Sequence, residues 1–459
     1  MKRPNLFFIG VTSFCVIMLA CGQKPGTHVA TAGGEGAAAG EELAAGEAGG
    51  EAAAAGAEGD IAGAAGAAGA AAKRKAGSAA GAAGAVAGKG DRTGVTADKI
   101  VVGLHAPVTG AAPFPAASFE KGKDLYWTRA GAPKVHGRTV QVLFQDDQYS
   151  PFTAVDRCRK MAEQQRAFLL IGGGGTDQVQ ACARYAATKG IPYLSAGVTE
   201  VGLKNLRNYF AISMSYAQQG PLLSRFIKEK FPGITPDQVG MIRTNTPNFQ
   251  DAHDAFKSAF GALKLDRTLS KNPSATEYDD AARAVVSSGV KVLYVLTAPT
   301  HYVQLTAASR MTPPPPGSER WFVGVGITKG LDDVLSTGCN TSGNQIQNAY
   351  FFSPFPGVAV AKQMDGELSS AYGGNPDSLG TALWGLNKAL HQMLEKAGPD
   401  LTRQNFILST EKASIQTNLF PPLQYSQGNH FGGSKVHVLK ANCSTKQHET
   451  WSEGKFYPY

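Results

Sequence analysis

"FLLIGGGGTDQVQACARYAATKGIPYLSAG", residues 168–197, is the stretch on which the fold turns. An unbroken apolar run enters four glycines, Gly172 to Gly175. A helical pattern follows from Asp177 to Gly190, and a second apolar run begins at Ile191. Strands that are continuously apolar, rather than alternating, are buried on both faces. That is the mark of a parallel sheet covered by helices on both sides. The glycines themselves admit three readings: a phosphate-cradling loop, a plain strand-to-helix turn, or a pocket wall of bare backbone. No Lys follows at the spacing of G-x-x-x-x-G-K-[ST], which removes the first.

The alternation extends in both directions. "KIVVGLHAP" (99–107) and "TVQVLFQDD" (139–147) read as strands, and "SFEKGKDLYWTRAG" (118–131) as a helix stopped by glycine. "SPFTAVDRCRKMAEQQ" (150–165) reads as a helix with Ser150 as N-cap and Pro151 at its first position. After a break the pattern restarts. "QGPLLSRFIKEKFPG" (219–233), "NFQDAHDAFKSAFGAL" (248–263), "AARAVVSSG" (281–289) and "HYVQLTAASRM" (301–311) are helical, with strands "QVGMIRTN", "VKVLYVLTAP" and "RWFVGVG" between and after them. This second α/β unit spans about 217–352. "DSLGTALWGLNKALHQMLEKAG" (377–398) is one more amphipathic helix, and the remaining tail reads as β-rich and loopy. "MTPPPPGSERW" (311–321) is a stiff polyproline spacer.

The first ninety or so residues stand apart. "MKRPNLFFIGVTSFCVIMLAC" has a basic start at Lys2 and Arg3 and an apolar run, Leu6 to Leu19, too short to cross a bilayer comfortably. Residues 1–20 are expected to be a signal peptide. "MLAC" resembles a bacterial lipobox, which makes Cys21 the expected lipidation site; the alternative is an ordinary leader with an incidental cysteine. From Gly22 to about Thr96 the chain is Gly- and Ala-rich, with almost no large apolar residue. It cannot build a core and reads as a disordered tether. Roughly 70 such residues span on the order of 45 Å.

Charge and cysteines narrow the class further. Loss of Lys2 and Arg3 with the leader takes two from the formal charge of +8, and the rest is scattered. With no basic face interleaved with aromatics, nucleic-acid binding is not expected. Once Cys15 goes with the leader and Cys21 to lipid, Cys158, Cys182, Cys339 and Cys443 remain. An even number in an exported domain points to two disulfides, with three possible pairings. There is no C-x-x-C and no His cluster at ligand spacing, so neither a metal nor a cofactor is expected. Neither H-E-x-x-H nor G-x-S-x-G occurs, and His105 has no acid or nucleophile partner at a fixed spacing. His253, His301 and His391 read as solvated helix positions. An enzyme is therefore the weaker reading.

In order and spacing, "IVVGLHAPVTGAAPF" (100–114), "FQDDQYSPFTAV" (144–155), "FLLIGGGGTDQ", "GIPYLSAGVT" (190–199) and "AQQGPLLSRFI" (217–227) resemble the type I periplasmic binding proteins of the branched-chain amino acid or amide group. The resemblance covers about 97–459. It implies two Rossmann-like α/β lobes joined by three crossovers, with ligand trapped between them. Lobe 1 would be 97–216 plus 353–416, and lobe 2 would be 217–352 plus 417–459. It implies a monomer that delivers a small organic solute to an ABC permease; a ligand-sensing receptor of the same fold is the alternative. On this fold Cys158 would pair with Cys182, and Cys339 with Cys443.

The family's contact positions fall here on Phe114, Gly174, Gly175, Thr176, Ser195, Gly197 and Thr199 in lobe 1. In lobe 2 they fall on Asn248 (or its neighbour Phe249), Ala298 and Gly326. Several carry a second reading: Phe114 as a packing residue, Thr176 as a helix cap, Thr199 as a turn residue, with Asp177 expected to cap. Amino-acid binders of the family place a carboxylate at the Gly326 position and an aromatic near Ala298. This chain has neither, which implies a larger, less zwitterionic ligand such as an aromatic or aliphatic acid or amide.

Overall fold

The computed structural model describes residues 90–311, 321–325, 330–451 and 457–458. The leader, Cys21, most of the tether, the proline run and Gly326 lie outside them. Residues 90–96, read as tether, belong to the folded body. The buried Arg403 explains why: its guanidinium pairs with Asp91 at 2.9 Å while donating to the carbonyls of Phe168 and Ala167.

In chain order the first half runs β1 (Lys99–Ala106), α1 (Ala116–Gly122), α2 (Leu125–Thr128), β2 (Thr139–Asp146), α3 (Pro151–Arg159), β3 (Leu169–Gly172), α4 (Thr176–Thr188), β4 (Tyr193–Ser195) and β5 (Tyr209–Ala211). The five strands make one parallel sheet in the order β2-β1-β3-β4-β5. Side chains alternate across it as a strand's period of two requires. Leu169, Ile171, Leu194 and Phe210 enter the core on one face. Leu170, Tyr193, Tyr209 and Ala211 enter the core on the other. The helix read over 118–131 is two short ones. Ser150 caps α3 as expected, accepting from the N–H of Thr153, with Pro151 in the first turn.

The second half runs α5 (Tyr216–Lys230), β6 (Val239–Thr244), α6 (Gln250–Phe260), β7 (Leu265–Leu269), α7 (Ala275–Ser288), β8 (Val292–Leu296), α8 (Pro299–Met311), β9 (Trp321–Val325), α9 (Asp332–Ser342) and β10 (Tyr350–Ser353). Then come α10 (Val358–Met364), α11 (Gly366–Ala371), α12 (Ser378–Lys396), α13 (Arg403–Thr410), β11 (Ser414–Ile415), β12 (Leu423–Gln424), β13 (Lys435–Asn442), β14 (Gln447–Thr450) and β15 (Tyr457–Pro458). The second sheet follows the order β14-β13-β10-β9-β8-β6-β7, with β15 also on β13. Strands β6 to β10 are parallel, while β13 to β15 run antiparallel. The tail thus adds an antiparallel edge to the parallel sheet, and the turn from β13 to β14 is too short for the crossover helix a parallel partner would need. Again two cores flank the sheet: Leu293, Val295 and Phe351 on one side, Tyr294, Leu296 and Phe352 on the other.

The chain passes between the sheets after β5, after β10 and before β13. The last passage comes later than the residue 417 of the sequence reading. Leu419, Phe420, Leu423 and Tyr425 pack into the first sheet's core, and Phe431 packs on its other face. Those apolar side chains would be stranded in the second lobe. The disulfides are Cys158–Cys182 and Cys339–Cys443, with Cα atoms 6.1 and 5.5 Å apart. The first joins α3 to α4; the second ties α9 to the segment after β13.

Candidate functional site

In each sheet one place breaks the strand order. The chain runs from β1 outward to β2 and then returns to the other side of β1 as β3. It does the same at β6, β7 and β8. Connections diverge at such switch points, leaving a crevice beyond the carboxyl ends of the strands. Here both crevices open on one cleft. Pro107 after β1, Gly173 to Gly175 after β3 and Ala196 and Val198 after β4 form one wall; Phe249 after β6 and Thr297 to Pro299 after β8 form the other. The cleft encloses about 660 Å³ of space between atoms, part of it open to solvent.

The first wall is held by its own loops. Asp146 accepts from the N–H groups of Val108 and Gln148, each at 3.0 Å, and from the Thr109 hydroxyl. Burial pulls the Asp146 carboxyl up, but these hydrogen bonds outweigh it and hold it below the usual range. Asp147 accepts from the Tyr149 N–H at 3.0 Å, and its other oxygen meets His105 Nδ1 at 2.7 Å. His105 Nε2 in turn meets the Tyr193 hydroxyl at 2.7 Å, all beneath the floor of the cleft. His105 therefore has an acid partner that its sequence spacing did not reveal. The chain is wound so tightly at Gln148 and Tyr149 that both have positive φ, and Tyr149 projects into the cleft.

Two glycines do particular jobs in this wall. Gly175, the residue before α4, has φ of 77°, a conformation that suits glycine. A side chain on Gly174 would meet the Phe114 ring at 2.8 Å. The ring therefore lies flat on bare backbone. No side chain caps α4, so its first-turn N–H groups are free of a side-chain acceptor at the end where a helix favours negative charge. Asp177 does not cap, contrary to expectation. It accepts from Asn248 of the opposite wall, because it points across the cleft rather than back along the helix. Burial pushes its carboxyl up, with Lys271 pulling the other way.

The opposite wall adds hydroxyls and rings. Tyr216, at the start of α5, lies beside Thr176, and burial pushes its phenol up to about 12. Burial does the same to Tyr149, with smaller contributions from Tyr216 and Asp177. Both phenols keep their protons at neutral pH and can donate. Asp251 on α6 accepts from Thr199 Oγ1 at 3.0 Å and from the Glu200 N–H at 2.8 Å, so a second polar contact joins the walls. Burial raises its carboxyl against those bonds.

Of the residues expected to contact ligand, the structure brings Phe114, Gly174, Gly175, Thr176 and Ala298 together around the cleft, with Phe249 rather than Asn248 on the lining. Four others lie elsewhere. Ser195 is fully buried and bonds to the Tyr209 hydroxyl and the Ala196 carbonyl. Gly197 donates to Ser213 and backs onto Met214. Thr199 is spent on Asp251, and Asn248 on Asp177. Gly326 lies outside the described residues. The sequence reading missed Tyr149 and Tyr216. "DDQYSP" offers a turn signal for the first, while nothing local marks the second. His253 is buried against Asp266 rather than solvated, and His301 and His391 are half-buried.

Residues 99–448 match the family described as periplasmic binding protein. The chain belongs to this family. The solved structures most similar to this periplasmic binding protein agree on the fold. One is a solute-binding protein of an ABC transporter from Rhodopseudomonas palustris BisB5 in complex with 3,4-dihydroxybenzoic acid (16% identity, TM-score 0.62, 76% of this chain and 95% of that one). Another is a fatty acid ABC transporter substrate-binding protein from Thermomonospora curvata (16%, 0.65, 80% and 98%). A third is a branched-chain amino acid transporter substrate-binding protein from Streptococcus pneumoniae in complex with isoleucine (16%, 0.62, 78% and 98%). No curated protein matches the chain significantly. No helix among the described residues is long and apolar enough to cross a membrane.

Proposed function

We propose that this periplasmic binding protein captures a small organic monocarboxylic acid between its lobes and hands it to an ABC permease. The carrying observation is the lining of the cleft. Its described residues include two protonated tyrosines, hydroxyls, the uncapped start of α4 and apolar rings, but no charged side chain. Such a surface suits an acceptor group on an apolar body. A buried ammonium without an anionic partner costs several kcal/mol, and the carboxylate of Asp177, next in sequence to the lining residue Thr176, is engaged by Asn248. The similar structures include binders of an aromatic acid, a fatty acid and isoleucine, so the choice among them rests on the cleft lining.

The lobes are 97–216 with 353 to about 433, and 217–352 with the remainder. Ligand held by one wall draws in the other through the Asp177–Asn248 and Thr199–Asp251 contacts, and the closed shape is what the permease reads. The leader exports the chain, and lipid on Cys21 holds it, as a monomer, at the outer face of the membrane with the tether as spacer. A thermal-shift panel tests the ligand class, because a ligand bound only by the native state raises Tm. Aromatic and aliphatic carboxylates should raise it, and leucine and valine should not. The reverse ranking would refute the reading.

A further inference from the structure

Phe114 borders more than the cleft. Beside its ring lies a second space, about 470 Å³ between atoms, part of it open to solvent. This chamber shares Phe114, Gly172, Gly173 and Ala196 with the cleft, so the two are separated chiefly by one aromatic ring. Its remaining described lining carries no polar side chain. Phe119, Ile212 and Leu331 form one side. The other is a stripe of α12, Leu379, Leu383 and Leu386 with Ala382, spaced as one helical face. Phe114 is held at the partition by its N–H, which donates to the Pro107 carbonyl at 2.8 Å. Its ring stacks on Phe119, with centroids 6.1 Å apart.

We infer that the ligand is an amphipathic acid whose apolar tail passes Phe114 into this chamber, making Phe114 and the α12 stripe the residues that set tail length. This rests on the acid-binding reading of the cleft, which supplies the head site at α4, Tyr149 and Tyr216. An apolar chamber gains hydrocarbon and repels any polar substituent on it. Each buried methylene should tighten binding roughly three- to four-fold until the chamber is full.

The test is calorimetry on the full chain with butanoate, hexanoate, octanoate and decanoate, repeated on Ala382→Phe and Leu386→Ala. Neither residue lines the cleft. Affinity should climb with chain length in the natural protein. Ala382→Phe should flatten the climb while leaving butanoate binding intact, and Leu386→Ala should move the optimum to a longer acid. Butanoate binding with no dependence on length, or a climb unchanged in both variants, overturns the tail chamber and leaves the acid site standing. Failure of every acid to bind the natural protein overturns the head-site reading, and the chamber with it. Should Ala382→Phe fail to fold, the shift of optimum in Leu386→Ala decides alone.

Discussion

At residue 174 a single methyl group probes the cleft wall. Gly174→Ala would place a carbon 2.8 Å from the Phe114 ring, which must then swing away. Overpacking of this kind typically costs about 1–3 kcal/mol of stability, so Gly174→Ala should lower the melting temperature; thermal denaturation beside the natural protein measures it, and an unchanged midpoint would contradict the contact. At this scale the sequence was readable where a residue follows directly from a strand end. Gly174, Gly175 and Thr176 come straight off β3, and they line the cleft. It was not readable one strand over. Ser195 and Tyr193 share a face of β4, the face that meets Tyr209 and the lower core, so the Ser195 hydroxyl is turned away from ligand. Tyr149 enters the cleft only because two consecutive residues take positive φ, and no propensity announces that.

Elements explain what periodicity could and could not find. The long, continuously apolar strands β1, β3 and β8 were plain, as were α3, α4 and α12. The missed ones are short or mixed. Three residues make β5, and β7 alternates half-buried and exposed positions along the sheet edge until the buried Leu269. Helix α9 carries Gly338, which breaks a sequence pattern yet lets Ile346 approach to 2.8 Å of where a side chain would begin. This helix is also where Cys339 anchors the second disulfide, whose partner lies 104 residues on. A loop of that length restricts the unfolded chain strongly, on the order of 4–5 kcal/mol in the chain-entropy account, against roughly 3 for the 24-residue loop of Cys158–Cys182. Cys339→Ala with Cys443→Ala should therefore lower the urea midpoint more than Cys158→Ala with Cys182→Ala. Equal losses would contradict that ordering.

Across the whole molecule, two sheets with matching switch points present their carboxyl ends to one cleft, and the chain passes between them three times. Just past the last passage stands a titratable residue. His437 on β13 donates from Nε2 to the Leu419 carbonyl, and burial pushes its imidazole down to about 4. The folded state thus holds it neutral, while an unfolded chain takes up the proton near 6.5. Stability from this group is complete above pH 6.5 and falls as pH drops toward 4, with about 2 kcal/mol gone by pH 5. His430, His301 and His391, lowered mainly by burial, act in the same direction. Urea melts at pH 7 and pH 5 should show the loss, and His437→Gln should shrink it; an unchanged slope would remove His437 from the account. The antiparallel pairing of β13 with β10 and the late crossover depend on contacts far apart in sequence, and for that reason they emerged only from the fold.

The central claim is that the cleft takes an acid on an apolar body and has no place for a zwitterion. Calorimetry of the full chain with benzoate, octanoate and leucine, each repeated with Tyr216→Phe, tests it most directly. The prediction is measurable binding of at least one carboxylate, weakened roughly three- to ten-fold by loss of the phenol, and none of leucine. Tight leucine binding with no response to either acid would contradict it.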